Sequence, residues 1–148
     1  MRSLWIVLAL ATLQPACSSR DLREPTGCYT LQLQPWEPAI DVADAGLFVP
    51  PATFELLADS ATGPWYPAGS RRALPPPERE SPELNPRAYW QKQPSDSLSV
   101  TWTDGFTGFE ARFAQHGDTL DGWATAFADG HPTRLAIAPA LAVKTSCP

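Results

Sequence analysis

The chain has 148 residues, with 11 basic and 16 acidic side chains and a net charge of −5. Its cations are scattered, Arg71-Arg72 being the one adjacent pair, so the basic face that phosphate binding requires is missing and no nucleic-acid partner is expected. The length suits a single domain able to bury about two thirds of its unfolded surface around one core.

The first element is a leader. Arg2 supplies a positive start, and Leu4 to Leu13 form an apolar run of ten residues. This is the layout of a secretory signal over residues 1–16. The run is too short to cross a bilayer, which takes about 20 apolar residues. Leu-Gln-Pro-Ala-Cys resembles a bacterial lipobox through Ala16 and Cys17, whereas Gln14 and Pro15 depart from its usual pattern. That resemblance implies cleavage before Cys17, lipidation of Cys17, and a polar tether over residues 17–26 beginning Ser18-Ser19-Arg20-Asp21. The membrane is then a partner through the anchor, whose several acyl chains meet the two-signal requirement for stable attachment. Ser18 after the cysteine resembles the outer-membrane sorting pattern, facing the periplasm or the cell surface. The alternative is ordinary cleavage after Ser18, giving a protein free in the periplasm or secreted. Either reading removes or occupies Cys17 and leaves Cys28 and Cys147 as an even pair in an oxidising compartment, where a bridge is expected.

The mature domain, residues 27–148, reads as strands throughout. Gly27 to Leu33 places Tyr29, Leu31 and Leu33 on one face and Cys28, Thr30 and Gln32 on the other. Thr53 to Ala58 and Arg87 to Lys92 read as strands, and Trp65-Tyr66 as the start of another. Twelve of the 17 prolines fall between Pro35 and Pro94, which leaves little room for a helix. The proline-rich, charged stretch at about 67–86 is expected to be an exposed loop. Next, Ser97 to Trp102 alternates polar and apolar, Asp104-Gly105 turns the chain, and Phe109 to Phe113 alternates again. A turn at His116-Gly117-Asp118 leads to Leu120–Phe127, then Asp129-Gly130, then Leu135–Val143 interrupted by Pro139. Strands bounded by Gly and Asp in sequence-adjacent order make an antiparallel meander. With no helix to cover it, such a sheet buries its apolar face by closing on itself. The expectation is an all-β meander barrel of six to eight strands, with a two-sheet sandwich as the alternative.

The stretches "SLSVTWTDGFTG" and "HGDTLDGWATAFADG" resemble the hairpins of small lipocalin-like, or calycin-type, barrels. Gly27-Cys28-Tyr29 resembles the lipocalin Gly-x-Trp, with Tyr29 where tryptophan would stand. The resemblance implies a barrel fold more than an activity.

Reactive side chains are few. His116 and His131 fall in successive turns, separated by a strand of about ten residues and hence by roughly 30 Å at 3.3 Å per residue. They cannot share a metal ion or a proton relay. The carboxylate pair Asp41/Asp44 lacks the further oxygen ligands of a calcium loop, and in the pair Asp118/Asp121 Asp118 reads as a turn-former. No nucleophile elbow, phosphate loop or zinc-ligand spacing is present. The expectation is a non-enzyme without cofactor or metal. The aromatics carry more. Trp102, Phe109 and Phe113 share apolar faces with Leu98 and Val100. Leu120, Gly122, Ala124 and Ala126 form a small-residue face, and Trp123, Thr125 and Phe127 lie opposite it. Two readings follow. In the first, the interior is packed and Trp123 with Phe127 forms an outward contact patch of an envelope interaction protein. In the second, Trp102, Phe109 and Phe113 line a cavity for a small apolar ligand.

Overall fold

The computed structural model describes residues 24–41, 47, 49–77, 85–94, 96–129 and 134–148. The expected signal sequence, Cys17, most of the tether, Asp44 and His131 lie outside the described residues.

Eight strands follow one another: β1 Gly27–Leu33, β2 Thr53–Ser60, β3 Arg71–Leu74, β4 Arg87–Gln93, β5 Ser97–Thr103, β6 Thr107–His116, β7 Thr119–Ala128 and β8 Ala136–Thr145. Each pairs antiparallel with the next, and β1 pairs with β8 to close the barrel. The meander is therefore complete at eight strands, with no helix among the described residues, and the sandwich alternative is set aside.

Two details depart from expectation. Trp65-Tyr66 is a turn, tied by the Tyr66 amide donating to the Gly63 carbonyl, and Trp65 is 64% exposed. The strand lies further on, at Arg71–Leu74, inside the stretch read as loop. Four residues with one buried side chain, Ala73, are too short to show alternation, and Pro75 ends them. Pro139, by contrast, sits within β8 rather than interrupting it. The Gln34 amide donates to the Pro139 carbonyl, so the proline's missing N–H falls one position beyond the end of β1, where the ladder stops. The seam resumes at Glu37, which exchanges two backbone bonds with Ile137 at 2.7 and 2.9 Å. One extra residue on the β1 side makes this a bulge.

The lumen is filled by inward-facing residues of every strand. β8 contributes Ala136, Ala138, Ala140 and Ala142, and β7 contributes Leu120, Ala124 and Ala126, all at most 2% exposed. Against this low wall stand Tyr29, Phe54, Trp90, Trp102, Phe109 and Phe113, equally buried. Gly122 marks the closest approach: a Cβ there would overlap the Arg112 carbonyl of β6, so no other residue fits without moving the strand.

The barrel ends differ. One carries the short β4–β5 and β6–β7 turns and both described termini, joined by the Cys28–Cys147 bridge (Cα–Cα 5.2 Å). Cys28 pairs with Thr145 across the β1–β8 seam, so the bridge fastens the seam that closes the barrel. The other end carries the long β1–β2 connection, from which Leu47 joins the core and Trp36 and Ile40 pack against it.

Candidate functional site

Alternation and register bring the expected lining residues together inside the barrel. Trp102 and Phe109 are direct cross-strand partners, as are Leu98 and Phe113. Trp102, Phe109 and Phe113 are each 1% exposed. Their rings do not frame an opening. Phe54 of β2 meets Trp102 of β5 edge-on at 5.3 Å, across the lumen, and stacks on Tyr29 at 5.4 Å. Trp36 reaches in from the β1–β2 connection to Phe109 at 5.3 Å. Such offset and edge contacts are ordinary core packing. One polar atom stands out. The Trp90 Nε1–H donates to the Leu57 carbonyl at 2.9 Å, where the β2–β3 register shifts, whereas the buried Trp102 Nε1–H has no acceptor among the described residues.

The end bearing the termini holds a charged cluster that the sequence reading did not contain. The Arg71 guanidinium lies over the Trp90 ring at 5.1 Å and donates to Glu24 at 2.8 Å, with Lys92 3.7 Å from the same carboxylate. The Arg71 hydrogen bond holds the Glu24 carboxyl below its ordinary range. Tyr29 donates to the Pro25 carbonyl at 3.0 Å. Burial, with a smaller contribution from Asp118, pushes its hydroxyl from 10.0 to about 12. Residues 24 and 25 are thereby fixed against the barrel end.

The outer face of β6–β7–β8 offers a site of a different kind. Trp123 lies in the middle of β7 and is 59% exposed. Arg112 stands opposite it on β6 and Pro139 opposite it on β8. Glu110, Arg112, Trp123, Thr125, Arg134 and Ile137 line a groove of about 440 Å3 here. The Arg112 Nε–H donates to Glu110 at 2.8 Å, and that bond raises the guanidinium pKa further. Phe127, expected beside Trp123 as an exposed contact, is half-buried. Its ring covers Gly108, its cross-strand partner, where a Cβ would collide with it. Trp123 is thus the exposed aromatic of β7. The outward position of Trp123 follows from alternation alone, while Arg112, Ile137 and Pro139 become its neighbours only once the register is known.

A second outer groove, of about 560 Å3, runs beside the bridge between Thr30, Thr53, Glu55, Pro75 and Thr145. Donor atoms of Cys28, Glu55 and Cys147 lie there within 4.8 Å of one another, but both sulfurs are bonded to each other and neither is a thiolate. Among the remaining polar candidates, His116 ends β6 in an exposed position, Asp121 points outward on β7, and Asp118 lies in the turn between them. Its carbonyl accepts the Lys144 amide. Compared with protein-family models, with curated proteins and with solved structures, the chain shows no match, so the functional reading rests on its own geometry.

Proposed function

We propose that the protein is an exported, non-enzymatic interaction module of the cell envelope, a lipocalin-like barrel anchored through lipid on Cys17, which meets its partner with the outer face around Trp123. The observation that carries this reading is the placement of the aromatics. Six bulky rings fill the lumen, and one tryptophan is left on the outside in the middle of a rigid sheet. Buried tryptophans at interfaces commonly dominate binding energy. The fixed Glu24 supports the anchor geometry. Glu24 and Pro25, the described residues before β1, lie at the bridge end, and a tether leaving from there would set the β6–β8 face beside the membrane attachment rather than under it.

The orphaned Trp102 Nε1–H favours a second reading, a small ligand with an acceptor group entering the barrel. A buried donor without a partner costs about 1–3 kcal/mol, and a ligand carbonyl would recover it.

Two experiments test the first reading. In a Gram-negative host, the membrane-fraction protein should have the mass of a chain starting at Cys17 with acyl groups, and Cys17→Ser should release it. A soluble product starting near Ser19 would contradict the anchor. Sedimentation with isolated envelope should fall on Trp123→Ala. Unchanged sedimentation would remove the outer face from the function.

A further inference from the structure

The groove around Trp123 is not a plain apolar patch. Four of its six lining residues, Glu110, Arg112, Thr125 and Arg134, are polar. They line the groove together with the exposed Trp123 indole, whose register partners are Arg112 on one side and Pro139 on the other. A lipid chain or an apolar peptide would strip water from these groups without replacing their hydrogen bonds, at a cost of about 1–3 kcal/mol for each. Strand addition is also closed to a peptide, because the barrel is continuous and offers no sheet edge here. A ligand that suits the groove has an apolar face to lie on the indole and hydroxyls around its edge.

Charge narrows the class. Two guanidiniums and one carboxylate line the groove, on a chain whose overall charge is −5. Arg112 commits its Nε–H to Glu110, which leaves its outer N–H groups and the exposed Arg134 lining the same groove, and guanidinium N–H groups suit a planar anion. The volume, about 440 Å3, falls in the range of small-molecule sites, about 300–1,000 Å3.

We propose that the Trp123 groove binds a carboxylate-bearing saccharide, with a pyranose face stacked on the indole and the carboxylate met by Arg134 and Arg112. This rests on the outer-face reading above and supplies its partner class. Such a ligand is the chemistry of an acidic envelope polysaccharide.

The test titrates the detergent-extracted full-length protein calorimetrically with trigalacturonate and with a neutral galactose trisaccharide. Trigalacturonate should bind about tenfold or more tightly than the neutral sugar. Trp123→Ala should weaken it by about 30-fold, in the manner of a central aromatic contact. Arg134→Gln should abolish the preference for the acidic sugar while leaving weak binding to both. Both side chains are exposed, so unchanged thermal unfolding should accompany these losses. No saccharide binding, equal binding of the two sugars, or binding indifferent to Trp123→Ala would overturn the proposal. So would Trp123-dependent dimerisation without sugar binding. Envelope sedimentation separates the two layers. If Trp123→Ala still lowers sedimentation while neither sugar binds, the saccharide class falls and the outer-face reading stands; if Trp123→Ala changes neither, both fall.

Discussion

The two faces of β7 and β8 reverse the usual distribution of size. Inside, these strands present alanines, a leucine and Gly122; outside, they present Trp123, Phe127, Ile137, Pro139, Leu141 and Val143. In a half-wet antiparallel sheet the larger apolar groups ordinarily face the core. The large rings of the other strands explain the inside: Phe54, Trp90 and Trp102, with Phe109 and Phe113 paired directly to Ala126 and Gly122 from the neighbouring β6, fill the lumen and are matched by small residues. Nothing comparable explains Trp123. Phe127 has a local structural use, as the cover of Gly108, and Ile137 and Pro139 serve the β1–β8 seam. The difference teaches where to look for function: on this barrel the unexplained bulk is outside.

The largest expected effect concerns the seam both faces share. Cys28 and Cys147 are 119 residues apart, and a crosslink closing such a loop contributes up to about 5 kcal/mol. Reduction should lower the denaturation midpoint accordingly, and thiol labelling should then report Cys28 and Cys147. Unchanged stability after complete reduction would mean that the ladder alone closes the barrel.

Substitutions on the two walls come next. Trp102→Ala should cost about 3–5 kcal/mol. Ala138→Leu, on the low wall, should cost about 1–3 kcal/mol through overpacking. A tolerated Ala138→Leu, seen as an unshifted urea midpoint, would reveal free space in the lumen and strengthen the internal-ligand reading.

Tyr29 gives a smaller effect, dependent on pH. Its hydroxyl titrates at about 12 in the folded protein against 10.0 ordinarily. The raised folded value means that its contribution is fully present below pH 10 and is lost as pH rises toward 12. The loss amounts to at most about 3 kcal/mol at 1.36 kcal/mol per unit. Urea unfolding at pH 9 and pH 12 should show this decline, and Tyr29→Phe should flatten that part of the profile. The smallest stability effect belongs to Trp123→Ala, within about 0.5 kcal/mol by thermal melt. A larger loss would make Trp123 a structural residue and erase the contrast between the faces.

Much of this was readable in the sequence, for local reasons. β5 and the first part of β6 alternate polar and apolar, and β5, β6 and β7 are joined by short turns at Asp104-Gly105 and Gly117-Asp118, so period and register there follow from neighbours. The buried Asp104 side chain accepts the Phe106 and Thr107 amides and the Thr107 hydroxyl, fixing the first of these turns. The bridge was readable from cysteine count. β3 was not, because a single inward Ala73 carries no period and prolines crowd it. Glu24 with Arg71 was not either: the partners lie 47 residues apart, and only the closed barrel brings them together. For the candidate groove, alternation points Trp123 outward, but Arg112 and Ile137 reach it through pairings with other strands.

The most direct measurement sets Trp123→Ala against Trp102→Phe in envelope sedimentation. Trp102→Phe keeps one aromatic ring in the lumen and removes the pyrrole half of the indole with its orphaned N–H. A working outer face predicts that Trp123→Ala lowers retention by about 30-fold while Trp102→Phe leaves it unchanged. Retention lost on Trp102→Phe and kept on Trp123→Ala would contradict this and place the binding site inside the barrel.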